Sequence, residues 1–205
     1  DGEYGTANTS GVSSASTANN LALNAYATDS ASNANLVQEE SFTIHGLLGS
    51  KTLTTTAGST IRDVATLVNN AFETTGVNAL ASTQLKIEAK AFGSDNTGLN
   101  SVAFTIQGKN STATAVSANV NFGTTTGTSD LSPLRDAVNN YSTTTGITAT
   151  LSADKTNIIL IQNEGYDIKL GDVDFAGDTA TTGTRKVLVV TSLDNDEATA
   201  GSSVM

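Results

Sequence analysis

Ile61-Arg62-Asp63-Val64-Ala65-Thr66-Leu67-Val68-Asn69-Asn70-Ala71-Phe72-Glu73-Thr74-Thr75-Gly76-Val77-Asn78-Ala79 is answered later in the chain by Leu134-Arg135-Asp136-Ala137-Val138-Asn139-Asn140-Tyr141-Ser142-Thr143-Thr144-Thr145-Gly146-Ile147-Thr148-Ala149. The Arg-Asp pairs start at 62 and 135, which is 73 positions apart. The Val-Asn-Asn triplets (68 and 138) and the Thr-Thr-Gly triplets (74 and 144) are 70 apart. The second copy therefore reads as three residues shorter between Arg-Asp and Val-Asn-Asn. That is close to one helical turn of about 3.6 residues, so the apolar face keeps its direction.

Each copy has the spacing of a short amphipathic helix. In the first, Ile61, Val64, Ala65, Val68 and Phe72 share one face. In the second, Leu134, Ala137 or Val138, and Tyr141 do so. Ser59 or Thr60 is placed to cap the first helix. Ser132 followed by Pro133 has the order of a polar cap and a proline at the first helical position. Gly76 and Gly146 stand where each helix must stop and the chain must turn.

Working outward, strand-like runs flank both helices: 41–44 and 51–55 before the first, 84–89 and 102–106 after it, 116–122 before the second, and 147–151, 157–161 and 167–170 after it, with a last run at 185–191. Several alternate apolar and polar residues, as half-buried antiparallel strands do. The expected fold class is α+β and β-rich overall. It comprises two small units, each of antiparallel strands packed on one helix in the order β-β-α-β-β. The expected divisions are a poorly defined N-terminal segment 1–39, a first unit 40–112, a second unit 113–192 and a polar C-terminal tail 193–205. Asn19–Tyr26 has the pattern of a short helix, Ser13–Thr17 is of low complexity, and a Thr- and Gly-rich linker, Gly123–Ser129, falls inside the second unit.

Composition narrows the function. The formal net charge is −10, and the ten Lys and Arg residues are scattered. This argues against nucleic acid, whose phosphates demand clustered cations, and against anionic membrane surfaces. The chain has no cysteine, which removes disulfides, thiolate metal sites and cysteine nucleophiles. No apolar run approaches the ~18 residues of a membrane helix. The start, Asp1-Gly2-Glu3-Tyr4, has neither Met nor a basic-then-apolar leader, as expected of a processed or excised segment.

The repeated helix ending in Thr74-Thr75-Gly76-Val77-Asn78-Ala79 or Thr144-Thr145-Gly146-Ile147-Thr148-Ala149, each followed by a strand, resembles the flagellin insertion motif. The resemblance covers about residues 40–175. That motif occurs in the variable outer domains of bacterial flagellins, and in hook-associated and filament-cap proteins. The sustained heptads that build a filament core are missing here, so the resemblance is to the outer, surface-exposed part. It implies an extracellular structural component of the flagellar filament, with neighbouring flagellin subunits as partners, O-linked glycans as a candidate modification, and a monomer when isolated. It also implies that both chain ends lie close together, since both rejoin one core domain.

The residues that invite a chemical reading are few. His45 is the only histidine, and no Gly-x-Ser-x-Gly elbow accompanies it, so a surface or turn position is expected. Asp172-Val173-Asp174 and Asp194-Asn195-Asp196-Glu197 offer oxygen ligands but lack the spacing of a calcium loop, and read as solvated acidic turns. Glu39-Glu40 would point to opposite faces of a strand. Arg62-Asp63 and Arg135-Asp136 read as helix-start electrostatics. Thr124–Thr126 and Thr179–Thr184 are candidate O-glycan acceptors, and Asn8, Asn110 and Asn140 begin N-glycan sequons. No catalytic, cofactor-binding or metal residue is assigned, no cofactor is expected, and the chain is expected not to be an enzyme. The competing readings are a hook-associated or cap protein, a surface adhesin or glycan-binding module and, most weakly, a hydrolase.

Overall fold

A computed structural model describes residues 37–92, 98–122, 129–176, 185–193 and 199–204. The N-terminal segment before Val37 lies outside the described residues. So do the candidate helix Asn19–Tyr26, the sequon at Asn8, the loops at 124–126 and 179–184, the acidic run 194–197 and the expected proximity of the two ends.

The first copy opens with a hairpin of β1 (Ser41–His45) and β2 (Ser50–Thr54). Its register runs from Ser41 opposite Thr54 to His45 opposite Ser50. Alternation puts Phe42, Ile44 and Leu53 on one face and a ladder of hydroxyls on the other, with Ser41 bonded to Thr54 at 2.9 Å and Thr43 to Thr52 at 2.8 Å. The hairpin leads into α1 (Ile61–Asn69) and α2 (Phe72–Thr75). β3 (Thr83–Phe92) follows, and the second copy then repeats the order with longer hairpin strands: β4 is Gly98–Gln107, β5 Thr114–Phe122, α3 Ser132–Asn139, α4 Ser142–Thr145, β6 Ile147–Leu151 and β7 Asn157–Gln162. Three further strands follow, β8 (Lys169–Ala176), β9 (Arg185–Leu193) and β10 (Thr199–Val204).

The chain is α+β and β-rich, with every named strand pair antiparallel. Besides the β1–β2 hairpin there is a three-stranded sheet in the order β5-β4-β8 and a five-stranded sheet in the order β10-β9-β3-β7-β6. The two copies therefore meet inside one sheet. β3, which follows the first helix pair, pairs with β7, which follows the second, with Leu85 opposite Leu160 and Ile87 opposite Ile158. On its other side β3 pairs with β9, in register from Gln84 opposite Leu193 to Phe92 opposite Arg185.

The main core lies between these two larger sheets and α3. Leu85 and Ile87 of β3, Val102 and Ile106 of β4, Val120 of β5, Ile158 and Leu160 of β7 and Val190 of β9 are fully buried, as are Leu134 and Val138 of α3. At the rim Phe122 meets Phe175 edge-to-face, with ring centroids 6.0 Å apart. The first copy keeps a small core of its own. Leu53, Val68 and Ala71 are buried together, with Phe42, Ile44, Leu67, Val77 and Ala79 partly buried around them.

Several expectations change. Each single helix is two, because the helical turn tightens after Asn69 and Asn139: the Ala71 and Tyr141 amides donate to Val68 and Val138, three residues back. The break rotates the second segment, so Phe72 and Tyr141 are 41% and 40% exposed while Thr75 and Thr145 are buried. The expected division between 112 and 113 falls in the turn joining β4 to β5, two strands paired from Gly98–Phe122 to Ile106–Thr114. Residues 199–204, read as polar tail, form β10 on the open edge of β9. The expected strand 167–170 lies further on, as β8, and takes Asp172-Val173-Asp174 with it. These residues form a bulge rather than a turn: Gly171 faces Thr105, Asp174 faces Ala103, and Asp172 takes φ of 50°. Asp is among the few residues with a side chain that adopt this region readily.

Candidate functional site

The two copies share a constellation built from Asn, Thr and Gly. Asn69, the last residue of α1, donates its amide to the Ala79 carbonyl at 3.0 Å and accepts the Ala79 N–H at 2.7 Å. Asn139, the last residue of α3, repeats this with Ala149, at 2.9 and 2.7 Å. An amide side chain presents a donor and an acceptor side by side, so it fits both backbone groups of one residue, as a strand partner would. Each Asn thus holds the returning chain against the end of its helix.

Between these ends sits a buried threonine. The Thr75 hydroxyl donates to the Ala71 carbonyl at 3.0 Å and accepts the Val77 N–H at 3.2 Å. Thr145 does the same with Tyr141 and Ile147, at 3.0 and 3.1 Å. One hydroxyl thus partners the N–H at the start of the returning chain and adds a bond to a carbonyl that already accepts the backbone N–H groups of the short helix. Gly76 and Gly146 then turn the chain in the left-handed region, with φ of 71° and 72°.

A second glycine closes each constellation. Gly46 in the β1–β2 turn and Gly108 in the β4–β5 turn lie so near the Thr75 and Thr145 carbonyl oxygens that an added Cβ would overlap them. The adjacent turn amides use those carbonyls, Leu48 N–H to Thr75 at 3.3 Å and Lys109 N–H to Thr145 at 2.9 Å. Sequence reasoning missed this equivalence. The glycines are 62 apart rather than 70, and Leu47-Leu48 shares nothing chemically with Lys109-Asn110.

The first helix starts as expected and the second does not. Thr60 caps α1 in a reciprocal capping box: the Asp63 N–H donates to the Thr60 hydroxyl oxygen at 3.2 Å, and the Thr60 N–H donates to the Asp63 carboxylate at 2.8 Å. Ser132 is not a cap. It lies inside the first turn of α3, and its N–H donates to Asp130 at 2.9 Å. The cap position of α3 is Leu131, without a side-chain cap bond, so the two helices start 71 positions apart, close to the spacing of the Asn and Gly positions. Arg62-Asp63 therefore occupies the first turn of its helix, whereas Arg135-Asp136 lies further along its own, and there Arg135 pairs with its neighbour Asp136 at 2.7 Å. The Ser132 hydroxyl and amide, with Lys155 and Arg135 nearby, hold the Asp130 carboxyl below the usual carboxylate range.

The remaining candidates do not converge. His45 is exposed at the end of β1, and Glu39 and Glu40 are exposed just before it. Asp172 and Asp174 are exposed on β8, with the Thr105 hydroxyl 3.4 Å from Asp172. Among the described residues, no three His, Asp or Glu side chains gather closely enough to share a metal ion. Asn110 is engaged within its own turn, accepting from Gly108 N–H at 2.8 Å, and Asn140 is exposed at the helix break.

No protein-family model matches the chain, and no curated protein matches it. Among solved structures, it is similar to the D1-D2-D3 domains of the flagellar cap protein FliD from Escherichia coli. The likeness is weak, with 14% identity and a TM-score of 0.29, and it covers 62% of this chain and 46% of that one. The chain thus corresponds to less than half the length of that protein.

Proposed function

We propose that the chain is the outer, surface-exposed region of a bacterial flagellin, a structural module that projects from the filament and carries no catalytic centre. The observation that supports this is the repeated motif. Its Asn, Thr and Gly residues, those that resemble the flagellin insertion motif in sequence, perform matching backbone tasks in both copies. These side chains are spent on holding the fold, which suits a passive scaffold. The acidic, hydroxyl-rich exterior sets surface charge, drag and antigenicity, and meets neighbouring subunits. The exposed Ser41-Thr43-Thr52-Thr54 ladder and the Ser/Thr-rich loops are the acceptors for O-linked sugars in this reading.

Immunogold electron microscopy on cells that make the chain tests it, using antibody raised against the 205 residues. Gold along the full length of external filaments is the expected result. Gold only at filament tips would replace this reading by that of a cap protein. Gold over the cell body alone would reject both.

A further inference from the structure

The turn between β7 and β8, residues 162–167, carries a group of contacts that neither repeat unit needs for its own core. Gln162 is fully buried, and its side-chain oxygen accepts two N–H groups, from Glu164 at 2.8 Å and Tyr166 at 3.1 Å. This folds the turn so that Gly165, at φ of 75°, faces the first copy. The Gly165 carbonyl accepts the N–H of Arg62 at 3.0 Å, and an added Cβ on Gly165 would overlap Ala81. The Arg62 guanidinium lies over the Tyr166 ring, 4.6 Å from its centre, and reaches Glu164 at 3.4 Å. Glu164 takes a second cation from the other copy, Lys109 in the β4–β5 turn, at 3.3 Å.

We infer that this turn is a clasp, and that the part of the first copy before β3, residues 37–82, is a lobe that opens from the main body when the clasp lets go. Two observations carry this. The buried cluster of Leu53, Val68 and Ala71 is separate from the main core, so parting the lobe from the body leaves both cores intact. The lobe continues into the body along the chain through β3, and the clasp contacts at Arg62 and Ala81 lie on the lobe side of that connection. A region with a small core and peripheral attachments is where sub-global opening is cheapest. The lobe also carries the most exposed apolar side chains among the described residues, Leu80 and Leu47, at 102% and 98%. The inference does not depend on which assembly the chain serves.

Amide hydrogen exchange on the whole chain tests it, comparing the parent with Arg62→Ala and Glu164→Gln, and with Arg135→Ala as a control that pairs with its neighbour Asp136. The clasp predicts that exchange in β1, β2 and α1 quickens roughly fivefold or more in Arg62→Ala, and less in Glu164→Gln, while β4, β5 and β7 keep their rates. Arg135→Ala leaves the lobe unchanged. Exchange that quickens uniformly over lobe and body would overturn the inference, as would a lobe indifferent to both clasp substitutions.

Discussion

The side chain of Asn139 forms a two-bond ring with the backbone of Ala149, donating to its carbonyl at 2.9 Å and accepting its N–H at 2.7 Å. Ten residues separate the two, and that interval holds the whole reversal from α3 through α4 into β6. One amide thereby fixes where the helix pair ends and where the strand begins. Asn69 and Ala79 form the same ring in the first copy.

Replacing Asn139 by Ala leaves both backbone groups of Ala149 without this partner. We expect a loss of about 1–3 kcal/mol in urea unfolding. Asn69→Ala, at a more exposed ring, costs less. Asn139→Asp keeps the acceptor, loses the donor and falls between Ala and Asn. A loss below about 0.5 kcal/mol for Asn139→Ala would remove the ring from the account.

The two glycine positions differ in kind. Gly146→Ala strains a left-handed residue, at about 1–2 kcal/mol. Gly108→Ala drives a methyl into the Thr145 carbonyl oxygen, which no rotamer change relieves, so it destabilises by more. Thermal unfolding of both variants gives the order. Gly146→Asn is milder than Gly146→Val, because Asn tolerates the left-handed region.

The Arg-Asp pairs look alike in sequence and differ in place. Asp63→Ala breaks the capping box of α1 and costs about 0.5–2 kcal/mol. Asp136→Ala removes only an exposed pair with Arg135 and changes stability by less than about 0.5 kcal/mol. Equal effects at both positions would contradict the placement of Asp63 in a capping box and of Asp136 further along its helix.

Asp130 adds a pH dependence. Its folded pKa is depressed by the Ser132 hydroxyl and amide, with Lys155 and Arg135 contributing. Its stabilising effect is therefore present above the ordinary carboxylate pKa and is lost as pH falls through the lowered folded value. Since the carboxylate is 45% exposed, solvent screening keeps the effect small. Asp130→Asn is expected to flatten the acid limb of the stability curve and to leave its neutral-to-alkaline part parallel to the parent. An unchanged acid limb would show that Asp130 is not a contributor.

The sequence made much of this fold legible because the informative residues act locally. Thr-Thr-Gly marks a helix end through contacts within a few residues, and the alternation in 116–122 and the apolar run 158–161 place strands without knowledge of their partners. Partners were another matter. Nothing in Gln84-Leu85-Lys86-Ile87 says that β3 pairs with β7 of the other copy, since antiparallel partners are chosen by the whole sheet. The Gly46–Gly108 equivalence was hidden because a close approach constrains only the missing Cβ. Arg62-Asp63 and Arg135-Asp136 misled because two copies of a dipeptide need not occupy the same helical position. The 164–166 clasp joins residues about a hundred positions apart, a distance that no local pattern spans.

The central claim is that this chain stands on the outside of a filament. Cryo-electron microscopy of filaments assembled with and without residues 37–204 tests it most directly. The account predicts that the shortened protein still assembles with the same core symmetry and that density disappears only from the outer radius. Loss of assembly, or an unchanged radial profile, would contradict it.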